Sequence, residues 1–361
     1  MEISYTSSLD AVEPAEWTRL AERSGHIFAT REWLLTWWSH YGRARRQLVG
    51  VARAGGQPVA IVPLYLWWRH GIPVLRFVGH GASDQLGPVC APLSEPGAAA
   101  SVRETMDAVP LQRFVLLAEQ VAADQRFGEL VGARPMFREA SPVLQLKHAS
   151  WDEFVRGRGR NFRQQVRRFP HKLAELGTVS FRLARDPEHL SRDLDTLFHL
   201  HSKRWGSDAT AFLLAAPFHR EFAMQALHRG WLRLWFLEID GKPVAALYGF
   251  RFAGAESAYQ SGRDPALARH PVGFVLLAHA AREALTDGMS EYRLLRGGAP
   301  YKERFATGDP GLETYGLPRG APARLMLAAA RAAGGRSLGL RRILDRSRPH
   351  SLRRQLPAAG A

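Results

Sequence analysis

Along this chain the apolar residues recur with a period of two in some stretches and about 3.6 in others, and the switches between them outline two similar runs of elements. In the first run, residues 3–5 read as a short strand and 14–23 as an amphipathic helix, with Pro14 in the first turn where its missing N–H costs nothing. Thr30 is placed to cap a second helix over 31–41. Trp33, Leu34, Trp37 and Trp38 share one stripe of that helix, a spacing that predicts core residues rather than a platform for stacking bases. Strands over 47–53, 58–68 and 73–78 follow, joined at Ala54-Gly55-Gly56 and Arg69-His70-Gly71; connections this short require antiparallel neighbours. A helix near 98–108, a strand at 113–117, a helix near 122–131 and a strand over 135–146 complete a first domain, 1–149.

Ser150-Trp151-Asp152-Glu153 has the spacing of a capping box and opens a helix that runs to about Leu176 and stops at Gly177. Pro170 is expected to bend or interrupt it. Phe162, Val166 and Phe169 give this helix one apolar stripe, and Arg156, Arg158, Arg160, Arg163, Arg167, Arg168 and Lys172 give it a basic face, so residues 150–177 read as a bridge between two halves. The second run has a strand at 179–183, helices at 188–205 and 218–228, and strands at 231–239 and 243–252 joined by the hairpin dipeptide Asp240-Gly241. A strand at 256–261, a helix at 272–284 and a strand at 291–295 follow, in a second domain spanning 178–318. Its order matches that of the first run through the three strands, without a residue-level repeat. The predicted class is α/β (α+β), each half a mixed, mostly antiparallel sheet flanked by helices.

Composition narrows this picture. The chain has 361 residues, 46% of them apolar, with ten tryptophans, which excludes a disordered protein and leads to an expectation of two domains. Its apolar runs are too short to span a membrane, its start shows no charged-then-apolar leader, and its single cysteine forbids an internal disulfide; together these predict a cytoplasmic protein. Cys90, inside V-C-A-P, reads as packing. The net charge of +15 suits phosphorylated ligands, nucleic acid or an anionic membrane surface. It is concentrated in the 156–172 block and in a tail over 319–361, where nine arginines from Arg324 to Arg354 meet one acid, Asp345. Leucines interspersed in that tail allow an interfacial helix peripheral to the inner membrane.

Candidate chemistry gathers where strands end. Gly79-His80-Gly81-Ala82-Ser83-Asp84 is glycine-rich but leads into no helix, so it is not a dinucleotide loop; Asp84 remains a substrate-binding candidate. His199 and His201 are two apart, on different helix faces, and no metal site is expected. In the second half, Gln260, Ser261, Arg204, Trp205 and Arg296 are the substrate-binding candidates, although a helix-end arginine such as Arg204 also answers the helix dipole.

The succession R-N-F-R-Q-Q-V-R-R (160–168), L-F-H-L-H-S-K-R-W (197–205), D-G-K-P-V-A-A-L-Y-G-F (240–250), Y-Q-S-G-R-D-P (259–265) and L-L-R-G-G-A-P-Y-K-E-R-F (294–305) resembles the CelD-like acyltransferases associated with exopolysaccharide and cellulose gene clusters. It is similar, more distantly, to the Fem-type peptidyltransferases, tandem GNAT proteins that use aminoacyl-tRNA. The resemblance spans roughly Thr30 to Leu317. It implies tandem GNAT folds and transfer of an acyl group, with acetyl from acetyl-CoA as the leading case, to an amine or hydroxyl of a sugar or polysaccharide precursor. Tyr301-Lys302-Glu303-Arg304-Phe305 is similar to the Fem-type F-K-x-x-F loop, which makes Lys302 the first catalytic candidate, a cation near the reacting carbonyl. Tyr259 and Tyr301 are candidate donors to a leaving thiolate, and Asp264 a candidate base, though Asp264-Pro265 is also a common turn starter. Gly262 and Gly273 with Arg263 and Arg269 could receive the pyrophosphate and pantetheine of CoA. His270-Pro271-Val272-Gly273-Phe274 departs from the usual GNAT pyrophosphate run, which leaves two alternatives: a Fem-like aminoacyl-tRNA-dependent enzyme and a non-catalytic scaffold at a polysaccharide assembly.

Overall fold

The computed structural model describes residues 1–69 and 71–333. In chain order its strands are β1 (Glu2–Thr6), β2 (Arg46–Ala54), β3 (Gln57–Arg69), β4 (Ile72–Phe77), β5 (Val89–Cys90), β6 (Phe114–Ala122), β7 (Phe137–Glu139), β8 (Val143–Gln145), β9 (Val179–Leu183), β10 (Leu232–Ile239), β11 (Lys242–Phe252), β12 (Ala255–Arg263), β13 (Glu291–Arg293) and β14 (Leu312–Arg319). Its helices are α1 (Pro14–Ser24), α2 (Arg31–Tyr41), α3 (Pro96–Asp107), α4 (Phe127–Leu130), α5 (Trp151–Arg156), α6 (Arg160–Ala174), α7 (Pro187–Trp205), α8 (Thr210–Leu214), α9 (Ala216–His228), α10 (Val272–Thr286), α11 (Pro300–Phe305) and α12 (Ala321–Ala333).

The chain divides into two compact units that are not contiguous in sequence. One holds residues 1–20, 33–138 and the described residues from 313; the other holds 21–32 and 139–312. Helices α5 and α6, over the stretch read as a bridge, lie within the second.

The first unit is built on a sheet ordered β1-β2-β3-β4-β6-β14-β7, with β5 paired to β3. Strands β1 to β4 are successive antiparallel neighbours, and β4 then pairs with β6 in parallel. Its core joins Leu64, Leu75, Phe77, Val102, Leu116 and Phe127. Trp33 and Trp37 are buried, in keeping with the core reading of that stripe, and so is Cys90.

The second unit has a sheet ordered β8-β13-β12-β11-β10-β9. Strands β9 to β12 are antiparallel neighbours, β12 and β13 are parallel, and β13 and β8 are antiparallel. The β10–β11 hairpin turns at Asp240 and Gly241, with φ of 49° and 72°; a two-residue turn with both centres left-handed matches the strand twist. Apolar residues of α10 (Val275, Leu276, Ala280, Ala284) and of α6 (Phe162, Leu173) cover one face of this sheet.

Four expectations need correction. The strand read over 135–146 is two three-residue strands in different sheets, because Pro142 has no N–H to donate between them and the chain changes sheet there. The helix near 122–131 is a short turn followed by the single turn α4. The helix read over 150–176 breaks at Gly157–Gly159 rather than at Pro170, which lies inside α6. Ser150 does cap α5, accepting from the Glu153 N–H at 3.2 Å while Glu153 accepts from the Ala149 N–H. Finally, β14 falls within the 178–318 stretch read as the second half, yet it joins the first unit's sheet. Of the residues that suggest an interfacial helix, Leu325 and Leu327 lie in α12, the first exposed and the second buried, while Leu338, Leu340, Ile343 and Leu344 lie outside the described residues. Among the described residues no helix is long and apolar enough to cross a membrane.

Candidate active site in the second unit

The site begins with a fault in strand pairing. Strands β12 and β13 are paired over three residues only, Ala255↔Glu291, Glu256↔Tyr292 and Ser257↔Arg293. Then β13 ends, and Leu295 turns out of the sheet with φ 58°. Among the described residues no strand pairs with β12 on that side from there to Arg263. Asp264 N–H bonds Val244 O at 2.9 Å. By the alternation of an antiparallel ladder, Gln260 and Gly262 also direct their backbone groups to β11, while those of Ser261 and Arg263 face the vacated edge. An extended ligand with amide groups can pair with an edge of this kind.

A bulge lies in the same place. Gly249 pairs with Ala258 and Tyr248 with Gln260, so Tyr259 is the extra residue. Its consequence is local: Tyr259 and Gln260, though adjacent, both turn toward the α7–α9 side. Tyr259 packs with Phe28 (ring centroids 5.8 Å apart) and His219 (5.6 Å), and Gln260 Oε1 lies 3.2 Å from His201 Nε2. Gly249 permits the bulge, since a Cβ there would sit 1.9 Å from Ser257 O.

Around the open edge the structure gathers several predicted residues. Arg204 Nη1 donates to Ser261 Oγ at 2.6 Å, and Trp205 Nε1 donates to Ser261 O at 3.1 Å. The Arg204 guanidinium lies 4.5 Å from the Trp205 ring centroid and 5.6 Å from that of Tyr301. Arg204, Trp205, Ser261 and Tyr301 thus form one cluster, adjoined by Gln260. Burial is the main influence lowering the Arg204 pKa, with Tyr301 opposing it and Arg263 adding to it.

Lys302 sits on the short helix α11, not on a polar loop. It is buried, and its Nζ donates to Leu295 O at 3.1 Å and Arg296 O at 2.5 Å, holding the segment where the chain leaves β13. The Arg296 side chain turns away and forms a two-pronged pair with Glu139 at 2.9 and 3.0 Å.

Other candidates have structural employment. Asp264 accepts from the Ala266 N–H at 2.9 Å and lies 3.4 Å from Lys203 Nζ; the backbone hydrogen bond, then the lysine, hold its carboxyl below the usual range, which suits the turn better than a base. Gly262 is buried under α7: a Cβ there would lie 2.3 Å from His201 N and 2.4 Å from Leu200 C. Gly273 has open space around it in the first turn of α10, after Arg269. The N–H groups of Val272, Gly273 and Phe274 precede the first intrahelical bond, Val275 N to Pro271 O, and the N-cap side chain does not cap them. Asp84 lies in the first unit, in a loop whose Ser83 accepts from Trp33 Nε1 at 2.8 Å. Among the described residues no group of three His, Cys, Asp or Glu could hold a metal ion.

Residues that the sequence did not single out complete the wall. His219, Tyr248 and Phe212 line the α8–α9 side with Tyr259, and His201, weighed only as a metal ligand, faces Gln260. Only the apolar spacing of α9 hinted at His219; the bulge that brings these groups together has no sequence signature.

Buried imidazoles in this unit give a pH prediction. Burial, with Arg293 adding, brings the pKa of His26 down to about 3. Burial brings His201 to about 4, partly opposed by Gln260, and His279 to about 4, with Arg282 adding. All three stay neutral when folded but take up protons when unfolded below about pH 6.5. Stability is therefore full above that pH and is lost as pH falls toward 4. Urea midpoints measured from pH 7.5 to 4.5 should be flat, then decline; a rise toward pH 5 would contradict the assignment.

Residues 160–303 match the family model described as an acetyltransferase (GNAT) domain. No curated protein matches the chain. Among solved structures the chain is similar to FemX, with 10% identity over 88% of this chain and 97% of that one and a TM-score of 0.59. It is also similar to the C-terminal domain of an Agrobacterium fabrum protein described as a lysylphosphatidylglycerol synthetase (13% identity; 87% of this chain, 94% of that one; TM-score 0.51). A third likeness is to L-PGS from Bacillus licheniformis (12% identity; 87% and 94%; TM-score 0.51). At such identities the likeness is one of fold. With two mostly antiparallel sheets flanked by helices and a GNAT match over 160–303, the chain has a Fem-type, GNAT-like acyltransferase fold.

Proposed function

We propose that the chain is an acyltransferase that moves an acyl group, acetyl as the leading case, from acyl-CoA to an amine or hydroxyl of a sugar or polysaccharide precursor. The observation that supports it most is the open edge of β12, which runs toward the uncapped first turn of α10. Backbone groups of Ser261 and Arg263 would receive the pantetheine amides. The N–H groups of Val272, Gly273 and Phe274, with Arg263 and Arg269, would receive the pyrophosphate. The acceptor's amine or hydroxyl attacks the thioester carbonyl carbon, its proton passes to bulk water, the electron pair moves onto oxygen, and the C–S bond breaks as that pair returns. Tyr301, beside Arg204 and Ser261, supplies the proton to the departing thiolate. Lys302 fixes the loop opposite and contributes positive charge to that side.

Tyr301→Phe tests the proton donor. It keeps the ring over Arg204 and removes the hydroxyl, so kcat should fall about 100-fold or more while the KM for acetyl-CoA stays within about threefold. An unchanged kcat would remove Tyr301 from the mechanism.

The donor is tested by titration calorimetry with acetyl-CoA and, separately, with aminoacyl-tRNA, followed by CoA-release assays on amino sugars. Micromolar binding of acetyl-CoA is the expected result. Heat with tRNA alone would favour a Fem-like aminoacyl-tRNA-dependent enzyme. That second reading draws on the exposed Arg160, Arg167, Arg168 and Lys172 of α6, since polyanion binding is electrostatic. Binding of neither donor would favour a non-catalytic scaffold.

A further inference from the structure

The first unit repeats the strand order of the second up to the parallel pair, yet fills the corresponding place differently. Strands β4 and β6 are paired over Val74↔Val115, Leu75↔Leu116 and Arg76↔Leu117. Just beyond, fully buried Arg76 places Nε 3.3 Å from Glu119 Oε2 and Nη1 3.1 Å from His80 Nε2; His80 Nε2 is itself 3.3 Å from Glu119. A second guanidinium, that of Arg45, stands over the rings of Trp37 (5.6 Å) and Tyr65 (5.3 Å).

The charges here do not balance. Arg76 and Glu119 offset each other. Burial, the largest influence on His80, lowers its pKa against the opposing pull of Glu119. Arg45 is half-buried, and the groups acting on it are Tyr65 and Arg76, not a carboxylate; burial lowers its pKa as well. Among the described residues one positive charge is left over, that of half-buried Arg45 in an aromatic-walled recess, a place where an anion would find no competing carboxylate.

Backbone strain marks the same spot. Ala44, immediately before Arg45, has φ 61°, and Gln120, immediately after Glu119, has φ 55°. Neither is glycine, and such conformations persist only where surrounding structure enforces them. The loop carrying His80 is also pinned, by Trp37 Nε1 to His80 O at 3.0 Å and Trp33 Nε1 to Ser83 Oγ at 2.8 Å. Arg45, Trp67 and His80 are partly exposed and form a rim above buried Arg76, Glu119 and Tyr65.

We infer that the first unit carries an anion-recognition site of its own, centred on Arg45 and His80, for the carboxylate or phosphate group of a small ligand. A planar guanidinium already stacked on aromatic rings presents its N–H fork with little ordering left to do, and forks of that kind match these two oxyanions. The anion supplies the missing counter-charge.

The test uses the full chain, with the His80 imidazole resonances followed by NMR at constant ionic strength. Inorganic phosphate and D-glucuronate are titrated in separate arms, with chloride as control, so the responding arm identifies the oxyanion. A saturable shift with Kd below about 10 mM in either arm is expected. In Arg45→Gln that affinity should fall at least tenfold, with the thermal midpoint unchanged or higher, because an uncompensated charge has been removed; a purely structural arginine would lower the midpoint. Arg45→Lys should bind with intermediate affinity, and it decides the matter by the same readout if the glutamine variant does not fold. The inference is overturned if neither oxyanion gives a shift beyond that of chloride, or if removing the guanidinium changes affinity by less than about threefold.

Discussion

Replacing Lys302 with methionine should reduce kcat for acyl transfer by about 100- to 1000-fold, the loss typical when one preorganised positive donor at a developing oxyanion is removed. Methionine keeps the length and apolar stem of the side chain, so the change isolates the ammonium. That ammonium is buried and holds Leu295 O and Arg296 O at the point where the chain departs from β13. Its removal leaves two carbonyls without their donor, at about 1–3 kcal/mol in stability. Two readouts are therefore needed. A fall in kcat together with unchanged acetyl-CoA affinity, measured well below the melting transition, places Lys302 in the transition-state machinery. A variant that melts earlier yet turns over at the parent rate would leave the lysine a purely structural clamp.

Gly262→Ala should be among the most damaging single-methyl changes in the chain, costing about 3 kcal/mol. The added Cβ would meet His201 N at 2.3 Å and Leu200 C at 2.4 Å, and both are backbone atoms of α7 rather than flexible side-chain ends. Relief requires α7 to lift from β12, which also moves His201 from Gln260, Arg204 from Ser261 Oγ and Trp205 from Ser261 O. Urea denaturation gives the stability change directly, and the fluorescence of Trp205 reports the displacement. Gly273→Ala is the matched control: nothing lies within 4 Å of its Cβ position, and its stability should change little. Equal stability in the two variants would refute the packing account of Gly262.

Gly262 and Gly273 thus differ in what they tolerate, a difference invisible in the sequence. Both Gly262 and Gly273 read from the sequence as places where a ligand approaches the backbone. Whether a glycine faces solvent or lies under a helix depends on how α7 crosses β12, a long-range contact that no local pattern encodes. Asp264 is the reverse case: its Asp-Pro context announced a turn, and the turn is where its carboxylate is used.

Much of the architecture was legible locally. The antiparallel strands, the Ser150 cap, the Asp240-Gly241 turn and the buried tryptophans of α2 follow from hydrophobic period and turn chemistry, which act over a few residues. Motif spacing placed Arg204, Trp205, Ser261 and Tyr301 near strand and helix ends, and they do form one cluster. Tertiary structure alone decided the rest. It assigned β8 and β14 to different sheets from the ones their positions suggest, since strand pairing depends on partners more than a hundred residues away. It set the bulge at Tyr259, which depends on Gly249 across the hairpin, and it buried the Lys302 ammonium against two carbonyls. In the first unit it brought Arg45, Arg76, His80 and Glu119 together from two strands and two loops. Their mutual charge imbalance exists only once burial removes them from water.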